Sequence, residues 1–272
     1  MKRSAAFLIC LPLLALSAIA SQPDDKQNPT GAEIVQKHLE AVGGKAALEK
    51  FKSRIAIGSV RKENEPDSQV AIMSEAPNRV SAMYVFKDYT WQLTFDGRQS
   101  LFRPLVSKEA STVEAKQREM LATGAMFNSI SLYNLLTQTG PDEPKFEAVK
   151  GTKKVKGRPA YVVDIKRPKL PTLRAYFDTE TYMWVRTDFG KVSYTKAMGS
   201  FTNDITQHGE DETDVDFYFE TSDFKEVDGV KLPFKFEQVV AFPILRQKKS
   251  GTIVGTIKEY RHNVPIDPKM FQ

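Results

Sequence analysis

Residues 214–236 read DVDFYFETSDFKEVDGVKLPFKF. Val215, Phe217 and Phe219 alternate with Asp214, Asp216, Tyr218 and Glu220, which is the two-residue period of a strand with one apolar and one polar face. Asp228-Gly229 then supplies a tight turn. Beyond it Leu232, Phe234 and Phe236 oppose Lys231, Lys235 and Glu237. Two-sided strands joined in this way predict an antiparallel sheet with one wet face and one covered face.

The same period recurs on both sides of this stretch. Towards the C-terminus, residues 253–260 form a further strand candidate. Towards the N-terminus, candidates fall at 146–154, 160–166, 173–178, 183–189 and 192–196, and earlier at 69–74, 79–87, 91–95 and 99–103. Residues 51–60 alternate as well. Asp96-Gly97 is read as a two-residue hairpin turn, and Lys156-Gly157 as another turn.

Helical spacing interrupts the strands twice. Thr30 with Glu33 forms a capping-box pattern ahead of Ile34, Val35, Leu39 and Val42, and Gly43-Gly44 ends that helix. Residues 108–122 are rich in helix formers and poor in apolar positions. Residues 125–138 are apolar around most of the helix circumference, so that helix must be buried on several sides or must meet something apolar that is not protein. The order of elements is one helix, strands, two helices, then many strands, with no linker between them. It predicts one α+β unit, mainly antiparallel β, in which helices cover the concave face of a single bent sheet.

The first twenty residues differ from the rest. Lys2 and Arg3 precede an uncharged apolar run that ends in Ala18-Ile19-Ala20 and Ser21. This is the pattern of a secretory signal peptide cut after Ala20. The expected organisation is a signal peptide at 1–20, a polar leader at 21–30 and one domain at 31–272. Cleavage removes Cys10, the chain's one cysteine, and lowers the net charge from +5 to +3. Disulfides and cysteine-ligated metals are then excluded.

Little in the chain points to chemistry. His38, His208 and His262 stand singly and far apart, and no nucleophile, metal-ligand or nucleotide-binding motif is present. The expectation is no enzyme, no metal and no cofactor. The acidic run 203–216 lacks the ligand spacing of a calcium loop and reads as a solvated hairpin loop. Basic residues gather between Lys150 and Arg174. They read as the wet side of strands, or as a face for anionic head groups or an acidic protein. An exported chain without a reading motif is not expected to bind nucleic acid. Large apolar residues recur on the candidate inner faces: Trp91, Leu93 and Phe95, then Met126, Phe127, Ile130 and Leu135, then Phe217, Phe219, Phe234 and Phe236. They form either an ordinary core or the wall of an apolar cavity, and periodicity does not separate the two.

Four stretches carry a family resemblance: residues 34–54 (IVQKHLEAVGGKAALEKFKSR), 175–186 (AYFDTETYMWVR), 224–236 (FKEVDGVKLPFKF) and 263–271 (NVPIDPKMF). Together they make the chain resemble the LolA/LolB-like group of bacterial outer membrane lipoprotein-sorting proteins. The resemblance implies an incomplete β-barrel closed by helices around an apolar cavity, with the helical lid at 108–138. It also implies a periplasmic protein that holds lipoprotein acyl chains or a lipid, in transient contact with a membrane or an envelope protein. The alternative it allows is an envelope sensor of the same fold that acts through protein–protein contact.

Overall fold

A computed structural model of the chain describes residues 28–62, 66–87, 90–104, 111–112, 130–141, 143–168, 172–193, 214–241 and 250–272. Its helices are α1 (Gly31–Ala41), α2 (Lys45–Leu48) and α3 (Ile130–Leu136). Six strands precede α3: β1 (Ser53–Lys62), β2 (Ser68–Glu75), β3 (Arg79–Val85), β4 (Thr90–Phe95), β5 (Ser100–Pro104) and β6 (Ser111–Thr112). Seven follow it: β7 (Lys145–Val155), β8 (Arg158–Lys166), β9 (Leu173–Asp178), β10 (Trp184–Ser193), β11 (Asp214–Val227), β12 (Val230–Ala241) and β13 (Ser250–His262).

All thirteen strands belong to one sheet, in the order β6-β5-β4-β3-β2-β1-β13-β12-β11-β10-β9-β8-β7. Each joins its neighbour antiparallel, and all but one of the pairs are consecutive in the chain. The exception is β1 with β13, paired from Arg54↔His262 to Lys62↔Ile253. That long-range pair welds two meanders into one sheet. Among the described residues its edge strands are β6 and β7, and α3 lies between them in sequence. The sheet is therefore open, an incomplete barrel curled about its apolar face.

One apolar cluster fills the concave side. It draws on Val70 and Ile72 of β2, Val80, Ala82 and Tyr84 of β3, Phe177 of β9, Phe219 of β11 and Phe236 of β12. α1 and α3 close over it. The sheet tolerates close layering here because Gly255 has no side chain: a Cβ at that position would lie 2.0 Å from Phe236 Cζ. The Phe236 ring covers the glycine and stacks on Phe219 at 5.2 Å.

The local signals work as their chemistry requires. Thr30 accepts the Glu33 amide at 3.2 Å, and the Glu33 carboxylate accepts the Thr30 amide at 2.7 Å, closing the capping box. Asp228 (φ 53°) and Gly229 (φ 84°) join β11 to β12 by a two-residue turn, as do Lys156 (φ 47°) and Gly157 (φ 84°) between β7 and β8. Such left-handed pairs match the twist of the flanking strands. No atom lies within 4 Å of a Cβ placed on Gly229. Gly229→Ala is thus expected to cost about 1 kcal/mol from backbone strain alone, and Gly229→Asn less. Denaturant unfolding of the two variants measures the difference.

Several expectations are corrected. Asp96-Gly97 does not form a two-residue turn. Phe95 pairs with Ser100, and residues 96–99 form a longer loop in which the Asp96 carboxylate accepts the Arg98 and Gln99 amides. That side-chain cap outcompetes the tighter turn. The candidate at 183–189 and the start of that at 192–196 share one strand, β10, which absorbs a register shift between Asp188 and Lys191; residues 194–196 lie outside the described residues. Ser111 and Thr112, placed in a helix by sequence, pair instead with Phe102 and Leu101. The open edge of β5 supplies hydrogen-bond partners that helix propensity does not foresee. The remainder of 108–122 lies outside the described residues. The C-terminus, read only as a motif, forms a short 3-10 helix at Pro268–Phe271 on the outer face of the sheet. There Phe271 and Ile266 pack on Met73, and Gln92 donates to the Met270 carbonyl at 2.8 Å.

Candidate functional site

The concave face is the candidate site, and strand register decides what lines it. Paired residues share a face, so Val80↔Phe95 and Ala82↔Leu93 point inward together, as do Phe219 and Gln238. α3 lies over β1 and β2 above this surface. Ile130, Leu132, Tyr133, Leu135 and Leu136 are all buried, as the all-round apolar reading of this helix requires. Its polar ties to the sheet side include the Ile130 amide donating to Ser74 Oγ at 3.4 Å and Asn134 Nδ2 donating to the Pro77 carbonyl at 2.5 Å.

Leu93, Phe95, Ile130, Leu135, Phe217, Phe219 and Phe236 join one buried cluster. Phe234 stands at the rim, half-buried, edge-on to Tyr260 at 5.2 Å and beneath the Lys225 ammonium. Trp91 pairs with Tyr84 across β4 and β3. Met126 and Phe127, like His208 and the signal-peptide stretch, lie outside the described residues.

A buried polar group beneath α3 went unread in the sequence. Arg54 points inward from β1 and is only 3% exposed. Its guanidinium faces the Tyr133 ring of α3 at 5.7 Å, and its Nε donates to His262 Nε2 at 3.0 Å. An accepting Nε2 requires a neutral imidazole, so Nδ1 carries the proton and donates to Asp228 Oδ2 at 2.8 Å. Burial lowers the His262 pKa, and the contact with Asp228 opposes that shift. Phe51 stacks on the ring at 4.0 Å. The available signal was an arginine on the inward period of a strand, in register with Ala56 and Val60.

Arg54 therefore ties α3 to the sheet. Arg54→Met keeps the stem and removes the cation, a contact worth on the order of 1–2 kcal/mol when desolvated. Amide exchange across Ile130–Leu136 is expected to quicken about tenfold in that variant, read by mass spectrometry.

α1 docks at the other end of the concave face. His38 is fully buried between Phe177 and Trp184, with ring centroids at 5.2 and 6.0 Å. Its Nδ1 donates to the Tyr182 carbonyl at 2.9 Å, while Nε2 has no hydrogen-bond partner. Desolvation pushes its pKa down to about 4, the backbone bond opposing. It is a hydrogen-bonded structural histidine in the core beneath α1. Among the described residues no group of three or more histidine, cysteine or acidic side chains could hold a metal ion.

An open antiparallel sheet, curled into an incomplete barrel with helices on its concave side, defines the LolA-like fold, and the chain adopts it. In particular, it is similar to a LolA superfamily protein from Nitrosomonas europaea. The TM-score is 0.51 and the identity 10%, over 90% of this chain and 98% of the other. A complex of Pseudomonas aeruginosa MucA and MucB also aligns, at 10% identity over 86% of this chain and 99% of the other, with a TM-score of 0.20. No protein-family model matches the sequence, and no curated protein matches it.

Proposed function

We propose that the protein is exported, loses residues 1–20, and works in the periplasm by holding an acyl chain of a lipoprotein or a lipid. The ligand lies between the concave face and its helices. The observation that carries this reading is the helix α3: apolar around most of its circumference, with Ile130, Leu132, Leu135 and Leu136 buried on an apolar concave sheet. An alkyl chain that parts α3 from the sheet meets an apolar wall, while Arg54 keeps its bond to His262. Each methylene moved from water contributes about 0.8 kcal/mol, so one acyl chain supplies the driving force with no catalytic group. Leu93, Phe95, Ile130, Leu135, Phe217, Phe219 and Phe236 then form the wall, with Phe234 at the rim and Trp91, Met126 and Phe127 as further contacts.

The test is organic extraction of protein purified from its own compartment, followed by mass spectrometry, together with uptake of a fluorescent fatty acid. Co-purified lipid and saturable uptake are expected. Their joint absence would count decisively against the reading. Arg54→Met separates a lid from a fixed core: faster uptake with unchanged capacity is expected where α3 is the moving part.

A further inference from the structure

The sheet has a notch where its β9–β10 hairpin stops short. β9 ends at Asp178 and β10 begins at Trp184, while β11 runs on to Val227. Glu220, opposite Arg186, is the last residue of β11 paired with β10. Over residues 221–227 β11 keeps β12 on one side, from Thr221↔Phe236 to Val227↔Val230. On its other side no strand follows among the described residues. The turn of the β7–β8 hairpin leans across this gap: Lys156 Nζ sits 2.7 Å from Glu237 Oε1 and 3.8 Å from Glu220 Oε2. Between turn and strand lies a cleft of about 520 Å³ with Val155, Pro159, Met183, Val185 and Phe224 in its walls. The cleft is not the concave site. Ala160 and Asp178, which also line it, pair with one another and alternate with Tyr161 and Phe177, which face α1.

Charge surrounds the cleft unevenly. Residues 145–166 carry seven lysines and arginines against two acids. Lys166 and Arg158 are paired with Glu147 and Asp178. Lys153 is exposed and shares a strand face with its pairing partner Ala160, which lines the cleft, and Lys231 lines it too; neither lysine has an ion pair among the described residues. The acids of the cleft are already neutralised. Arg158 donates twice to Asp178, at 2.7 and 3.2 Å, and Lys225 holds Asp223 at 3.2 Å.

We propose that this notch is a β-augmentation site for a short, extended, acidic segment of a partner protein. The segment adds as a strand to the free edge of β11 at 222–227, sets alternate apolar side chains into the cleft, and meets Lys153 and Lys231 with its acids. An unpaired strand edge needs amide and carbonyl partners, which a peptide backbone supplies and lipid head groups do not. A concave cleft with apolar walls likewise fits side chains rather than the flat surface of a bilayer. The site is independent of the lipid-holding reading, and either stands without the other.

The test begins by panning a phage library of random peptides, about 12 residues long, against the mature chain. Enriched peptides should alternate apolar and acidic residues. N-methylation at alternate backbone positions should abolish binding in one parity and spare it in the other, since only one set of amides faces β11. Lys153→Glu with Lys231→Glu should weaken binding at least about tenfold. Ser222→Trp, which fills the cleft from an accessible position, should abolish it. No enriched family, or binding indifferent to N-methylation and to both variants, overturns the proposal. Binding of phosphatidylglycerol vesicles that the charge reversals remove, with no peptide recognised, overturns it in favour of a membrane-facing surface.

Discussion

Trp184→Ala is expected to lower the unfolding free energy by about 3–5 kcal/mol, the range for truncating a buried large aromatic. Trp184 is 3% exposed and sits where α1 meets β9 and β10. Its ring packs on Phe177 at 5.2 Å and meets His38 edge-on at 6.0 Å. Its Nε1 donates to the Arg186 carbonyl and to Thr187 Oγ1, both at 3.0 Å, and its carbonyl accepts from Thr221 Oγ1 at 2.7 Å. Truncation removes the packing and both indole bonds. The surrounding strands are locked in register and cannot collapse into the space. Trp184→Phe keeps most of the ring and loses the donor, so it should cost about 1–2 kcal/mol. Urea unfolding followed by circular dichroism reads both. A loss below about 1 kcal/mol for the alanine variant would contradict the packed cluster.

Acid should loosen the same junction. An ordinary unfolded histidine titrates at 6.5, and buried His38 at about 4. Between those values the unfolded chain takes a proton that the folded chain refuses. Stability is therefore complete above pH 6.5, falls as pH drops towards 4, and then levels off. At 1.36 kcal/mol per unit the loss is on the order of 3 kcal/mol. His262, also lowered by burial, acts in the same direction. Asp178 enters only in stronger acid. Its carboxylate is held at about 2, against the penalty of its own burial, by Arg158 and by the amides and hydroxyl that open the β9–β10 turn. It therefore adds stability that is lost below its ordinary 3.8. His38→Gln keeps a donor for the Tyr182 carbonyl and does not titrate. Unfolding curves from pH 7.5 to 4.5 should be clearly flatter in this variant. Equal slopes would remove His38 as the cause.

Where the structure agrees with the sequence, the deciding forces are local. The capping box at Thr30, the left-handed turns at Lys156-Gly157 and Asp228-Gly229, and the alternation through Phe217 and Phe219 each depend on residues a few positions apart. The errors share one source. The loop at Asp96 was settled by a side-chain cap, and the strand at Ser111 by an edge that only the finished sheet presents. Glu220 was assigned to the wet face of β11. It does lie opposite Phe219, yet it is 5% exposed, because Arg186 and Lys156 reach it from β10 and from the β7–β8 turn.

The candidate site divides in the same way. The inward aromatics of β4, β11 and β12 were legible because a strand's period assigns faces without knowledge of its partner. Arg54 was not, since an inward arginine has meaning only once Tyr133, His262 and Asp228 arrive from α3, β13 and the β11–β12 turn. The sequence by itself determined an antiparallel, helix-covered sheet, because each strand's two-residue period and each turn's backbone preference are properties of neighbouring residues. Tertiary structure alone decided that β1 pairs with β13, that α3 lies over Arg54, and that a short β9–β10 hairpin leaves a notch beside the basic β7–β8 arm. These depend on contacts between residues as many as 208 positions apart, whose pairing energy exists only after the chain has closed the loop between them.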